Sequence, residues 1–332
     1  MSVFSDIGLE FVCDRRRRLA TSRTHLQINH AAMVKTNQFF GVSTALATPF
    51  KEGRVDFASL ERLVAHQLAG GINGLVAVGT TGESPTLDHH EHHEVIAAIA
   101  EMAGAKVPVI AGTGSNSTTE AVALTKQAHE TPGVSAMLAV APYYNKPNAE
   151  GLYRHFAATA EATDKPIILY SIPGRCGIEI DIGTCVRLRE NYPHVLGIKE
   201  AGGRAVRVGA LRDALGEDYL ILSGDDILTL PFMAYGAQGV ISVASNLVVA
   251  DLVAMCAQAL GNDFAAARQI GQRYFQLFQT LFCEPNPVPV KTALQRCGII
   301  ESAEVRSPLA PLSETSQKRL DGDLRSLGLL ER

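Results

Sequence analysis

One lysine stands where an apolar run meets a glycine-rich loop. In "VLGIKEAGG" (195–203), Val195, Leu196 and Ile198 read as a short buried strand, and Lys199 sits at its end. Burying an ammonium is costly unless the site uses it. Desolvation lowers a lysine's pKa and makes a neutral amine available. Such an amine attacks ketones to form a Schiff base. Other residues could serve that chemistry. "GTTGES" supplies Gly79, Thr80, Thr81, Gly82, Glu83 and Ser84, "PYYN" supplies Tyr143, Tyr144 and Asn145, and Tyr170 is followed by "SIPGR" up to Arg175. Plainer readings stand beside these. "GTTGES" could be a turn with a threonine cap, and Lys199 a surface lysine at a frayed strand end. Neither nucleotide-binding glycine motif, G-x-x-x-x-G-K-[ST] or G-x-G-x-x-G, occurs. Asp225 and Asp226 in "SGDD" resemble a catalytic carboxylate pair, but aspartates ahead of a helix more often cap it. "DHHEHHE" (88–94) invites a zinc site, since His89 and His92, or His89 and His93, share a helix face. The H-E-x-x-H pattern fails at Glu94 and no third ligand is evident, so the expectation is no metal.

These residues need elements to position them. From residue 39 short β-rich runs alternate with helical patterns about eight times. The strand candidates are 40–48, 74–79, 107–113, 135–142, 166–171, 195–199, 219–224 and 239–245. Most segments between them place apolar residues at three- and four-residue spacing. Strands apolar on both faces indicate a parallel sheet covered on both sides. The expected fold class is α/β, a (β/α)₈ TIM barrel over 37–262, with an open doubly wound sheet left as the alternative on periodicity alone. After about residue 262 the alternation stops, and three helical patterns form a C-terminal helical domain over 263–332. In a parallel barrel, chemistry belongs at the carboxyl ends of strands. That rule selects the stretches named above without knowledge of any family.

Residues 1–36 differ. They carry Arg15 to Arg18, Arg23 and Lys35 with no acid after Asp14, and read as an unstructured extension. A targeting peptide, or a reading frame that truly starts at Met33, are the other readings. The whole chain has 332 residues, 46% hydrophobic and 19% charged, enough for one large domain or two ordinary ones. A net charge of −4 gives no reason to expect nucleic acid or an anionic membrane as partner. No apolar run reaches the roughly 18 residues of a membrane span. Six scattered cysteines without a C-x-x-C pair fit reduced thiols in a cytoplasmic protein.

Taken together and in order, "GTTGES", "PYYNKP", "GIKEAGG", "LSGDD" and "EPNPVPVK" resemble the dihydrodipicolinate synthase and N-acetylneuraminate lyase family of class I aldolases. The resemblance runs from about residue 39 to the end. It implies a (β/α)₈ barrel with a helical C-terminal domain, assembled as a homotetramer of two tight dimers. It implies that Lys199 forms the imine with pyruvate and that Tyr170 shuttles protons, with Thr81 linking it into a relay. Tyr144 would complete that relay across the tight-dimer interface. Thr80 and Thr81 would bind the pyruvyl carboxylate, and Gly224 and Ile241 would line the pocket. Arg175 matches the arginine that grips the carboxylate of L-aspartate 4-semialdehyde. Ser171 and Gly174 depart from the common asparagine and serine there. The implied activity is the lyase-class condensation of pyruvate with that semialdehyde, towards diaminopimelate and lysine, with no metal or organic cofactor beyond the Lys199 imine. Another class I pyruvate aldolase or a sugar-acid lyase or dehydratase of the same family is the alternative. L-lysine is implied as an inhibitor bound by Ser84, Pro85, His89, His92, Asn116, Glu120 and Tyr143.

Overall fold

The structure, a computed structural model, describes residues 36–331. The extension expected over residues 1–36 lies, Thr36 apart, outside the described residues. The strands are β1 (Gly41–Ala45), β2 (Phe50–Lys51), β3 (Arg54–Val55), β4 (Gly74–Ala77), β5 (Val109–Gly112), β6 (Val134–Val140), β7 (Ile167–Ser171), β8 (Val195–Glu200), β9 (Leu220–Ser223) and β10 (Gly239–Ser242). Eight of them close a parallel barrel in the order β1-β10-β9-β8-β7-β6-β5-β4. The open-sheet alternative is thereby excluded. β2 and β3 form a small antiparallel ribbon that periodicity did not reveal, because two-residue strands carry no pattern.

Helices α1 (Phe57–Ala69), α2 (His89–Ala103), α3 (Thr118–Glu130), α4 (Ala149–Ala160), α6 (Ile182–Asn191), α7 (Ala205–Leu215), α8 (Thr229–Ala234) and α9 (Val249–Leu260) follow the barrel strands. A short helix, α5 (Pro173–Cys176), lies in the loop after β7. Asp56, Asp88, Ser117, Asn148 and Asp181 start their helices by accepting backbone N–H groups, which otherwise lack partners in the first turn. Two apolar layers explain the near-continuous hydrophobic strands. Val76, Ile110, Leu138, Ile168, Leu220 and Ile241 fill the barrel interior. Leu75, Val109, Met137, Leu169, Ile198 and Ile221 pack outwards against the helices.

One irregularity aims Lys199. Leu196 faces the interior and Ile198 the outer layer, although two residues apart they should share a face. The β7–β8 register slips here: Ile167 pairs with Val195, but Ile168 pairs with Gly197. The slip moves the next inward position from 198 to 199. Gly197 is required, since a Cβ there would lie 2.2 Å from the Leu220 carbonyl oxygen. Bulges of this kind re-aim side chains beside active sites.

Beyond the barrel come α10 (Phe264–Thr280), α11 (Val288–Arg296) and α12 (Glu314–Ser326). α11 packs on α12 and on the turn 244–246 after β10. The same region is pinned to the loop after β4 by a fully buried ion pair, Lys291 Nζ to Glu83 Oε1 at 2.6 Å. Glu83 Oε2 also accepts the Arg306 N–H at 3.0 Å. Arg306 itself pairs with Glu91 at 2.6 Å. Removing one partner of a buried pair strands a charge, so Lys291→Met should lower the free energy of unfolding by about 3–5 kcal/mol. Adding Glu83→Gln should recover part of that loss. Urea unfolding measures both; a loss no larger than the roughly 1 kcal/mol of a surface pair would show that water reaches it.

Candidate active site

The β7–β8 register places Tyr170 directly beside Lys199. Both side chains enter the barrel mouth, with Lys199 Nζ 4.1 Å from the Tyr170 ring centroid. Lys199 is 6% exposed although no carboxylate contacts it as an ion pair among the described residues. Burial pulls its pKa down to about 7. The negative charge of Asp226 opposes that fall and the positive charge of Arg175 adds to it. Burial drives the Tyr170 phenol the other way, up to about 12, with the Thr80 hydroxyl and Arg175 pulling weakly back. At neutral pH the site therefore pairs an amine that can lose its proton with a phenol that keeps its own. Gly224 leaves room for the Lys199 side chain: a Cβ there would lie 3.1 Å from Lys199 Cε.

A cavity of about 230 Å³ opens against Tyr170, lined among others by Thr80, Ser84, Pro85, Tyr143 and Arg175; Lys199 reaches it only by way of Tyr170, and Thr81 and Gly224 do not line it. Strand ends bring these residues together from β4, β6 and β7. Cys176 also lines it, and burial pushes its thiol up to about 11. Ile241 does not line the cavity; it packs with Tyr170 in the interior layer. Tyr144 does not line it either. Its side chain is 89% exposed, on a left-handed backbone with φ 74°.

Three expectations change. The hydroxyl that meets Tyr170 belongs to Thr80, not Thr81. Thr81 turns sideways, and its Oγ1 accepts Asn286 Nδ2 at 3.0 Å. Neither Asp225 nor Asp226 caps α8, which starts at Thr229 without a side-chain cap. Asp226 is buried and accepts Ser242 Oγ at 2.5 Å and the N–H groups of Val243 and Ala244, so it fixes the end of β10. Burial raises it to about 6. His92 does not share a solvated face with its neighbours: it is buried, and its imidazole is held down to about 4 by desolvation.

Of the remaining polar residues, His89, Asn116 and Glu120 do not line the cavity. His89 Nε2 meets Glu120 Oε1 at 3.0 Å, and Ser115 donates to the other Glu120 oxygen. The Asn116 carbonyl accepts Asn145 Nδ2 at 2.9 Å. His90 pairs instead with Glu94 at 3.2 Å. The histidines thus diverge, and no group of metal-ligating side chains converges among the described residues. No described helix is long and apolar enough to cross a membrane. Asn286 was missed as a site residue because it comes from beyond the barrel, where the strand-end rule has no reach; its only signal was its place in "EPNPVPVK".

A closed parallel barrel carrying a desolvated lysine under a tyrosine at its mouth defines an imine-forming enzyme of the class I aldolase type. The chain belongs to the dihydrodipicolinate synthetase family, whose profile matches residues 38–327. A 4-hydroxy-tetrahydrodipicolinate synthase from Persephonella marina is 49% identical over 88% of this chain and 99% of its own. The chloride-inhibited dihydrodipicolinate synthase from Acinetobacter baumannii, solved in complex with pyruvate, is 44% identical with a TM-score of 0.85, covering 88% of this chain and 99% of that one. The enzyme from Cyanidioschyzon merolae, solved with lysine bound, is 40% identical with a TM-score of 0.84 over 88% and 99%.

Only the neutral amine attacks a ketone, so adduct formation should rise with pH through a midpoint near 7, where burial places Lys199. Arg175→Ala removes a charge that depresses the amine and should move the midpoint upwards. Rapid trapping of the pyruvate adduct with cyanoborohydride, read by mass spectrometry across pH, measures this. A midpoint near the ordinary lysine value of about 10.4 would show that Lys199 is not desolvated in solution.

Proposed function

We propose that this chain is a 4-hydroxy-tetrahydrodipicolinate synthase, condensing pyruvate with L-aspartate 4-semialdehyde. The observation that carries the reading is one cavity shared by Tyr170, Thr80 and Arg175 beside the desolvated Lys199. The neutral Lys199 amine attacks the keto carbon of pyruvate. Tyr170, still protonated, donates to the departing oxygen as water leaves, giving the iminium. Loss of a methyl proton yields an enamine, a carbon nucleophile. It adds to the aldehyde carbon of the semialdehyde, whose carboxylate Arg175 grips. The amine of that substrate then displaces Lys199 from the imine carbon, which closes the ring and frees the enzyme. The lysine is the electron sink, so no metal or organic cofactor is needed.

Thr80 links Tyr170 to the relay, and Thr81 offers its backbone N–H to the pyruvyl carboxylate. Tyr144 reaches the relay of a second copy. An exposed aromatic on a left-handed backbone is a strained, poorly solvated arrangement on an isolated chain, and a tight dimer inside a homotetramer gives it a use. A reducing cytoplasm suits the cysteines Cys176, Cys185, Cys256, Cys283 and Cys297, all free. L-lysine inhibits at Ser84, Pro85, His89, Asn116, Glu120 and Tyr143, where the Glu120 carboxylate takes its α-ammonium; buried His92 supports this group from beneath. Ser84, Pro85 and Tyr143 also line the substrate cavity, so occupancy there is felt at the reaction.

Lys199→Arg should give no reducible pyruvate adduct, because guanidinium stays protonated. A full adduct in that variant would refute the mechanism. Arg175→Ala should weaken use of the semialdehyde by about 2–4 kcal/mol of transition-state binding while the imine still forms. Unchanged second-substrate kinetics would favour another pyruvate aldolase. Millimolar L-lysine should slow steady-state turnover, less so in Glu120→Ala; equal rates with and without lysine would remove the regulatory site and leave the catalytic one.

A further inference from the structure

The segment "EPNPVPVK" (284–291) has no role in the reaction as described, yet one residue of it touches both substrate-binding elements. Asn286 donates from Nδ2 to Thr81 Oγ1 at 3.0 Å, across 205 residues of chain. Its backbone carbonyl accepts Arg175 Nη2 at 3.3 Å. No carboxylate pairs with Arg175 among the described residues, so this carbonyl is the polar group that fixes where the guanidinium points. The anchor is buried: Asn286 is 6% exposed.

The amide is an odd choice for stability alone. Asn286 Oδ1 is buried without a hydrogen-bond partner among the described residues. A buried acceptor left unpaired is a penalty, whereas an apolar side chain of the same shape would carry none. Holding the C-terminal helices to the barrel does not need it either, because Lys291 and Glu83 do that a few residues away. Pro285 and Pro287 flank it and restrict the backbone on both sides. What the amide adds is direction: tied to Thr81, it presents its carbonyl to Arg175.

We infer that Asn286 is a positioning residue for the second substrate, setting the reach of Arg175 from outside the barrel by way of Thr81. This rests on the synthase reading above, with Arg175 as the carboxylate clamp. Geometry of that kind matters strongly, since a displacement of about 1 Å can cost on the order of a hundredfold in rate.

Leucine has nearly the shape of asparagine, so Asn286→Leu tests direction apart from packing. The expected result is a drop of about tenfold to a hundredfold in kcat/KM for aspartate semialdehyde, by the same misplacement. KM for pyruvate, the borohydride-trapped Lys199 adduct and the melting temperature should stay at wild-type values or, for the last, rise. In an Arg175→Ala background the same change should add no further loss, because it acts through that arginine. A wild-type kcat/KM for the semialdehyde in Asn286→Leu, or an equal loss of kcat/KM for both substrates together with a lower melting temperature, would overturn the inference. Failure of the wild-type protein to form the adduct or to turn over the semialdehyde would instead overturn the synthase reading itself.

Discussion

Burying Lys199 beside Tyr170 strips water from an ammonium, and the rest of the site is arranged around that penalty. Desolvation is the largest influence on the amine, exceeding the opposing attraction of Asp226. The penalty is sustained only because the barrel is rigid enough to hold the side chain inward. That rigidity has a local origin in the slip at Gly197, where the backbone of β9 approaches too closely for any side chain. A Cβ at 197 would meet the Leu220 carbonyl oxygen at 2.2 Å, so the slip that aims Lys199 inward needs glycine there. The reactive amine is thus a consequence of a backbone contact two residues away.

The second dependence is on the C-terminal helices. The loop after β4 carries Thr80 and Thr81 but includes a left-handed residue, Glu83, at φ 55°. Such a backbone persists only when surroundings over-determine it. Lys291 and the Arg306 amide do so by holding both Glu83 carboxylate oxygens. Phe50 sits beneath both cations, with its ring 4.1 Å from Lys291 Nζ and 4.3 Å from the Arg306 guanidinium carbon. Substrate-binding hydroxyls on the barrel are therefore held in place by charges from outside it.

Much of this was legible in the sequence, and the rest was hidden for identifiable reasons. Strand and helix alternation reflects burial on both faces, a property each short segment displays by itself, so the barrel could be read. The rule that barrels react at strand ends selected Lys199, Tyr170 and Arg175, and the structure sets Lys199 against Tyr170 and lines one cavity with Tyr170 and Arg175. It could not separate Thr80 from Thr81, because both lie in a turn whose path depends on Glu83 and Lys291, 208 residues apart. Asp226 looked like a cap because local spacing favours caps. Its actual partners are the Ser242 hydroxyl at the end of β10 and the two backbone N–H groups just after it, which no local pattern encodes. His92 shares a run with exposed histidines, yet α2 turns it inward, where burial keeps it neutral. Asn286 was quoted within a motif, but its two contacts reach back 205 and 111 residues.

The charges around Lys199 also account for the order of events. An unliganded site that disfavours the ammonium would seem to disfavour the iminium equally, since both are cations in the same place. The difference is that pyruvate arrives with a carboxylate. Its negative charge enters with the carbon that becomes the iminium, so the buried cation forms already paired, as a buried charge must be. The remaining fixed charges then divide the labour. Asp226, held by Ser242 and two backbone N–H groups, cannot swing away and favours the cation at every stage. Arg175 opposes it, and in the proposed reaction it does so until the second substrate brings its own carboxylate to neutralise the guanidinium. On this account binding of the aldehyde substrate is electrostatically easier after the enzyme has formed its imine site with pyruvate than before. For the proposed reaction, this placement of charges favours pyruvate first and aldehyde second.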